Sequence, residues 1–309
     1  MPEFKLLRGN VPNSFAYFTI KDRMPTILTK VINSLSMHMF EHNQNTAKIK
    51  EVISHIAQLK YNMTRNKALP ELAPLPENEL YNRLINKSEK TWFDAPWLLD
   101  IAVESALDID LFYWIKKDAF KETEVDLEIG TLASMVELIL WGNQSDLSLH
   151  INGREEGDVK QSHIIVNHIE PLCRILPKEK TIVYVLDNAG FELYTDLLFA
   201  TLLTRDYDTN IIFECKQYPW FVSDVTSKDF YQLINSKEKY KEIWQGYLDS
   251  GKWQVRSHWF WTTPLTYSEM ETEAPDLYHE MKESFAIYKG DLNYRKVTTA
   301  DPDGSRCRS

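Results

Sequence analysis

The stretch TIVYVLDNAGFELYTDLLFATLL, residues 181–203, decides the fold predicted for this chain. Its apolar, β-branched run at 182–186 indicates a strand that ends at Asp187 and Asn188, and after Gly190 the apolar residues return at helical spacing. Ligands of α/β proteins bind beyond the carboxyl ends of the strands. The two polar residues therefore lie where such a protein carries its chemistry.

The second half of the chain alternates between strand patterns and helix patterns. Helical segments are predicted at about 191–204, 228–235, 237–250 and 275–284. This alternation is typical of βαβ units, in which a parallel sheet is covered on both faces. The predicted strands lie in HIIVNHIE (163–170), TIVYVLDN (181–188), NIIFECKQYPW (210–220), WQVRSHWFWTT (253–263) and FAIYKGD (285–291).

The first 140 or so residues have a different, helical texture. Apolar residues recur at i, i+3, i+4 and i+7 steps in 19–42, where a helix is expected to open near Pro25, and again in 48–59. The proline-bearing stretch 68–80 breaks regular structure. Further helices are predicted at 92–112 and at 127–141, the latter ending at Gly142.

The amino-acid composition limits the kinds of molecule that the protein is expected to bind. The 309 residues are 43% hydrophobic and carry a formal net charge of -10, which argues against a nucleic-acid surface and offers no basic tract to a membrane. No run approaches the roughly 20 apolar residues of a membrane span, and the N-terminus lacks the apolar core of a signal peptide. We expect a cytoplasmic protein that acts on a small molecule, with no indication of a protein partner.

Three acidic residues follow predicted strands in the second half. Asp187, Asp224 and Asp291 would lie at one edge of a parallel sheet and could converge there. Carboxylate and amide oxygens together suit a cation such as Mg²⁺ or Mn²⁺. The sequence therefore predicts a divalent metal site at this edge.

Groups suited to an anion surround the predicted metal site. Lys289, Arg295 and Lys296 flank Asp291, and the helix that begins near Gly190 would direct its backbone amides toward the same edge. A cation, basic side chains and a helix N-terminus together describe a site for a phosphorylated substrate. The chemistry that this favours is phosphoryl transfer to water.

Simpler interpretations remain open for each of these residues. Asp187 and Asn188 could form an ordinary turn, and Asp224 could cap the helix that follows it. Glu192 and Asp196 lie four residues apart on one helix face, which fits a solvated surface or an acidic site. Two rival enzyme classes fit poorly: a haloacid-dehalogenase-type phosphatase needs an acid where Ala189 stands, and a dinucleotide-binding enzyme needs a GxGxxG loop.

The chain resembles a known family in several ordered blocks. They are SFAYFTIKDRMP (14–25), WFDAPWLL (92–99), WGNQSDLSL (141–149), LDNAGFELYTDLL (186–198), PWFVSD (219–224), FWTT (260–263) and KGDLNYRK (289–296). These blocks are similar to those of the metal-dependent damage-control phosphatases, subfamily III, whose members are also described as acidic residue (protein-glutamate) methyltransferases.

This resemblance implies a three-layer α/β/α sandwich with a mostly parallel, Rossmann-like sheet and a helical N-terminal region. It divides the chain into a helical region at 1–150, an α/β metal-binding core at 151–296 and a tail at 297–309 outside the resemblance. It also implies hydrolysis of small sugar phosphates such as fructose 1-phosphate and fructose 6-phosphate, supported by Mn²⁺, Co²⁺, Ni²⁺ or Mg²⁺.

The resemblance also implies roles for individual residues. Asp187, Asn188 and Asp224 match the metal ligands and catalytic residues, and they face the substrate as well. The remaining substrate-binding positions that it implies are Glu192, Asp291, Leu292, Asn293, Tyr294 and Arg295.

Departures from the family pattern leave other functions open. The helix after PWLL reads DIAVESALDIDL rather than a charged, tyrosine-rich sequence, and the chain ends in RCRS where the family has an R-[TSC]-x-K element. We therefore expect a C-terminally truncated chain with a weakened phosphate site. The alternatives are S-adenosylmethionine-dependent methylation of protein glutamates, although no glycine-rich loop is present for that cofactor, and a binder of metal and sugar phosphate without turnover.

Overall fold

The computed structural model describes residues 8–42, 46–71, 79–87, 91–95, 116, 120, 127–142, 164–218, 220–221 and 223–298. The strands are β1 (Thr181–Val185), β2 (Asn210–Cys215), β3 (Trp253–Ser257) and β4 (Phe285–Tyr288). The helices are α1 (Phe15–Phe18), α2 (Met24–His42), α3 (Thr46–Thr64), α4 (Glu79–Lys87), α5 (Leu132–Gly142), α6 (Ile169–Ile175), α7 (Phe191–Tyr207), α8 (Ser227–Ser236), α9 (Glu238–Asp249), α10 (Met270–Glu273), α11 (Pro275–Glu283) and α12 (Gly290–Thr298).

The four strands form one parallel sheet in the order β3-β2-β1-β4. The chain moves outward from β1 through β2 to β3, and β4 then returns to the opposite side of β1. The direction of winding thus reverses between β1 and β4. A crevice forms at such a switch point in open α/β sheets, outside the carboxyl ends of the strands. The predicted α/β class with a parallel sheet is confirmed.

Strand β1 is covered on both faces. Ile182 and Tyr184 point to one face and Val183 and Val185 to the other, and all four are fully buried. This explains the continuous apolar run that marks β1 in the sequence, because a strand buried on both sides has no polar alternation. Helix α7 is likewise buried along nearly its whole length, and α5 packs against it.

The chain divides into two compact units. The first comprises Met1–Leu111, Thr263–Ser268 and Arg295–Ser309, and the second comprises Phe112–Thr262 and Glu269–Tyr294. The sheet and helix α5 belong to the second unit, and helices α1 to α4 belong to the first. The domain bounds at 150 and 296 that the sequence indicated stay a prediction.

The first unit contains the helices expected from the N-terminal pattern. Helix α2 begins one residue before Pro25, as predicted, after a π-helical turn at Thr19–Arg23, and it packs against α3. The helix predicted at 92–112 lies largely outside the described residues, and 92–95 form a turn. Among the residues that the structure describes, no helix combines the length and the apolar character that a membrane span requires.

Two sequence expectations need correction. The strand predicted in HIIVNHIE is wrong: 164–168 are irregular, with Ile165 and Val166 exposed, and Ile169 begins α6. Pro171 explains this, because proline has no amide for a sheet ladder but fits the first turn of a helix. Helix α5 begins at Leu132, five residues later than predicted, because the backbone of Leu127 bonds the hydroxyls of two tyrosines on α7 and α9.

Candidate functional site

Asp187 and Asn188 lie in the tight connection between β1 and α7. Gly190, with φ +83°, is the residue that precedes α7, and its left-handed backbone allows the chain to turn from strand to helix. Both polar side chains are buried, at 3% and 5% exposure. The predicted strand, turn and helix are confirmed, and the turn presents its side chains inward.

A second segment pairs with this turn and brings Asp224 beside it. The amide of Ala189 donates to the Ser223 carbonyl at 2.7 Å, and the amide of Val225 donates to the Asp187 carbonyl at 2.8 Å. These bonds flank an antiparallel bridge between Asn188 and Asp224. The two predicted ligand segments are therefore held together by backbone hydrogen bonds.

Asp224 is not the cap of the helix that follows it. The residue that caps α8 is Thr226, whose hydroxyl accepts from the Asp229 amide while the Asp229 carboxylate accepts from the Thr226 amide. The capping interpretation of Asp224 is wrong, because the chain bends two residues later than that interpretation required. The Asp224 carboxylate instead forms an ion pair with Lys216, at 3.1 Å.

Hydrogen bonds orient the Asn188 amide. Its Nδ2 donates to Asp187 Oδ2 at 2.7 Å and to Glu192 Oε2 at 2.8 Å. Its Oδ1 accepts from the Ser223 hydroxyl at 2.5 Å. The amide nitrogen thus faces the carboxylates, and the amide oxygen faces the Asp224 segment.

The end of β4 closes on the Asp187 carboxylate from the neighbouring strand. The amide of Lys289 donates to the Val185 carbonyl at 3.0 Å, which extends the β1–β4 pairing, and Gly290 follows with φ +83°. A Cβ atom at position 290 would overlap the Asp187 carboxylate. Only glycine lets the first turn of α12 approach this closely, at the switch point of the sheet.

Burial and neighbouring carboxylates dominate the electrostatics of the site. Burial raises the pKa of Asp187 well above its usual value, and the charges of Glu192, Asp224 and Asp291 raise it further, whereas Lys216 lowers it. The Lys216 ammonium, itself buried, donates to the Leu186 carbonyl at 2.8 Å. The site thus concentrates negative charge that a bound cation would stabilise.

The donor chemistry of Asp187, Asn188 and Asp224 fits a metal that prefers oxygen ligands. Two carboxylates and one amide oxygen come together at one edge of the sheet, in a buried position where the charge of Asp187 is unfavourable without a cation. Within the described ranges, no group of three or more His, Cys, Asp and Glu side chains is arranged to hold a metal. A site here would accordingly depend on the asparagine as its third ligand.

The KGDLNYRK segment places its residues in different environments. Asp291 is exposed but lies close enough to influence Asp187. Leu292 is buried, Asn293 is buried and donates to the Lys289 carbonyl at 2.7 Å, and Tyr294 is 51% exposed. The Arg295 guanidinium, in the first unit, lies 4.2 Å from the centre of the Phe15 ring. Their substrate-binding roles stay predictions.

The lysines expected near an anion make protein contacts. The Lys289 ammonium contacts the Ile139 carbonyl, Asp196 and Glu192, and the Lys296 ammonium donates to the Thr263 carbonyl. Glu192 and Asp196, which Lys289 contacts, are each 1% exposed. The interpretation of these two residues as a solvated helix face is therefore wrong, and the alternative of an acidic site stays a prediction.

Sequence reasoning missed Lys116, Lys216, Ser223 and Gly290. Gly290 had a local signal, since a glycine directly before Asp291 indicates a close backbone approach. Lys116 had none, because it lies 108 residues before the segment that it contacts. Its buried ammonium donates to the Asp224 carbonyl at 2.9 Å and to Asp229 Oδ2 at 2.9 Å.

Replacing Lys116 with methionine is expected to destabilise the protein by about 3–5 kcal/mol, because it leaves a buried Asp229 carboxylate without its cation. Urea denaturation followed by circular dichroism measures this change. Lys239→Met is the matched control, since Lys239 pairs with Glu128 at the surface and its loss should change the midpoint little. Equal effects of the two variants would contradict a structural role for the Lys116 contacts.

The sequence is similar to those of known proteins over most of its length. A model of the damage-control phosphatase ARMT1-like domain matches residues 19–307. The chain is similar to damage-control phosphatase ARMT1 of Homo sapiens, with 34% identity over 372 residues covering 94% of this chain and 83% of that protein. The corresponding protein of Xenopus tropicalis is 30% identical over 367 residues, covering 94% and 83%. A crystal structure of a DUF89 family protein from Pyrococcus horikoshii aligns with a TM-score of 0.48 and 14% identity, covering 88% of this chain and 85% of that one.

Proposed function

The chain belongs to the damage-control phosphatase ARMT1-like family, and from that premise we propose that it is a metal-dependent phosphatase acting on small phosphorylated metabolites. The observation that carries the proposal is that Asp187, Asn188 and Asp224 lie together in a buried position at the switch point of the sheet. Fructose 1-phosphate and fructose 6-phosphate are the substrates that we propose to test first.

Asp187, Asn188 and Asp224 would hold the metal. Mn²⁺, Co²⁺, Ni²⁺ or Mg²⁺ bound there would act as a Lewis acid on a phosphate oxygen. Other side chains of the protein would hold two of these ligands in place. The hydroxyl of Ser223 fixes the Asn188 oxygen, and Lys216 holds the Asp224 carboxylate, so that both side chains keep one orientation.

Two helices begin at this edge of the sheet and favour an anionic ligand. Helix α7 starts after Gly190 and α12 starts at Gly290, each next to Asp187 in the chain or in space. The backbone amides and the positive end of the dipole at such starts attract phosphate. Glu192, in the first turn of α7, would accept hydrogen bonds from hydroxyl groups of the substrate.

Phosphate release from fructose 1-phosphate, measured with Mn²⁺ or Co²⁺ and again with excess EDTA, tests the proposal. We expect turnover with metal and none with EDTA, restored when metal is added back. Metal-independent release, or none with any small phosphate ester, would contradict it. Calorimetric binding of the ester without release would favour the non-catalytic binder, and methyl transfer from labelled S-adenosylmethionine to a protein would favour the methyltransferase.

A further inference from the structure

Lys289 is a buried cation that the proposed reaction leaves without a role. It follows β4, and its residue exposure is 8%. Its ammonium donates to the Ile139 carbonyl at 2.6 Å and to Asp196 Oδ1 at 3.0 Å, and lies 3.0 Å from Glu192 Oε1. An ammonium has three protons to donate, so these three acceptors match its capacity.

The contacts of Lys289 join three elements. Its backbone amide is bound to Val185 of β1, its ammonium reaches a carbonyl in the last turns of α5, and its two carboxylate partners lie on α7. Carbonyls near the end of a helix lack intrahelical partners and carry the negative end of the dipole, which favours a cation. The end of β4 therefore determines the position of the Lys289 ammonium, and the contacts of the ammonium hold α5 and α7 against that end.

Glu192 is confined by this arrangement. Its Oε1 lies against Lys289, and its Oε2 accepts from the Asn188 amide at 2.8 Å. Gly142 at the end of α5 lies so close that a Cβ atom there would be 3.3 Å from the Glu192 Cα and 2.7 Å from the Thr195 hydroxyl. The backbone of Glu192 has little room to shift, and its carboxylate has a cation on one side and the Asn188 amide on the other.

Without Lys289, the two carboxylates on α7 would repel each other. Glu192 and Asp196 are four residues apart on one helix face, and like charges at this spacing disfavour each other. Tyr184 donates to Asp196 Oδ1 at 2.8 Å and keeps that carboxylate in place. Glu192 would then be the group that moves, away from its contact with Asn188, and a neutral residue at 196 would not prevent this, because the buried Glu192 carboxylate would still lack a cation at Oε1.

We infer that Lys289 is a positioning residue for Glu192, and through Glu192 for Asn188, in substrate binding. The inference rests on the proposed function for the identity of the ligand, a phosphorylated metabolite. Lys289 acts from behind the site, since its ammonium is engaged by the protein. Its effect on the reaction passes through the Glu192 carboxylate.

The test uses the pair Lys289→Met with Asp196→Asn, because removing a cation and an anion together keeps the net charge and avoids an unpaired buried Asp196. We expect this double variant to fold and its KM for fructose 1-phosphate to rise roughly tenfold, with a smaller change in kcat. Glu192→Gln should produce a similar rise. The triple variant should be no worse than Glu192→Gln alone, because residues that act as one unit are not additive.

Two further measurements make the result decisive. Lys282→Met, which removes an exposed lysine of α11, should leave KM unchanged. Effects of the double variant and Glu192→Gln that multiply in the triple variant, to about a hundredfold, would overturn the inference. A crystal structure of the double variant gives a readout independent of turnover: loss of the Glu192–Asn188 contact supports the inference, and its retention overturns it. Absence of turnover in the unmodified protein would refute the proposed function, and the crystal structure would still decide how Glu192 is held.

Discussion

Replacing Asp187 with asparagine is expected to lower kcat/KM for fructose 1-phosphate by at least about a hundredfold and to stabilise the metal-free protein. The loss of activity follows because one carboxylate ligand of the proposed metal is removed, and a group that stabilises transition-state charge is worth roughly 10²–10³ in rate. The gain in stability follows from the cost of burying this carboxylate among Glu192, Asp224 and Asp291.

The sign of the pH dependence separates this effect from ordinary damage. Because the pKa of Asp187 is higher in the folded protein than in the unfolded chain, its contribution to stability is present below the unfolded pKa and is lost as the pH rises through the folded one. In EDTA, the unmodified protein should therefore lose stability above about pH 4 more steeply than the variant does.

Urea denaturation in EDTA from pH 4 to 8, together with phosphate release in Mn²⁺, measures both halves of this prediction. Asp249→Asn, at an exposed end of α9, is the control and should change neither. An asparagine variant that kept full activity would exclude Asp187 from the proposed site. One that was inactive but less stable in EDTA at all pH values would contradict the electrostatic argument.

Replacing Gly290 with alanine is expected to destabilise the protein by more than about 4 kcal/mol and to abolish phosphate release. Two costs combine at this position. Its φ of +83° is unfavourable for any residue with a Cβ atom, by about 1–2 kcal/mol, and that Cβ atom would overlap the Asp187 carboxylate. Asp187 or the start of α12 must then move.

Gly251→Ala is a matched control for this prediction. Gly251 has φ +74°, so alanine meets a similar backbone cost, but nothing lies within 4 Å of its Cβ position. The control should lose about 1–2 kcal/mol and keep its activity. Denaturant unfolding of both variants isolates the steric part as their difference. Similar losses in the two would mean that Gly290 serves the turn alone and does not permit the approach to Asp187.

The strand, turn and helix around Asp187 were predictable because their signals are local. The apolar run of β1 and the helical spacing of α7 follow from neighbouring residues, and the length of each element matches its pattern. The same local reasoning predicted a strand at 163–170 and was wrong there. A short apolar run does not distinguish a strand from a helix by itself, and the proline that directly follows it, Pro171, carried the deciding information.

The partners of the site residues were not predictable in the same way. Asp224 reaches Asn188 through backbone pairing between segments more than thirty residues apart in the chain, and Lys116 reaches the Asp224 segment from a still greater distance. Lys289 appeared suited to an anion from its position beside Asp291, yet its ammonium is taken up by the protein. Such contacts depend on which elements pack together in the folded protein, and the periodic patterns of the sequence do not contain that information.

The sequence by itself determined the α/β class, the turn that carries Asp187 and Asn188, and the acidic residues that follow the strands, because strand and helix periods and the carboxyl-end rule depend on order along the chain. The tertiary structure alone decided how these groups are charged and held. Burial raises the pKa of Asp187, Gly290 lets the first turn of α12 approach the Asp187 carboxylate, and Lys289 confines Glu192. Each effect arises only when segments that are distant in the chain pack together in the same space.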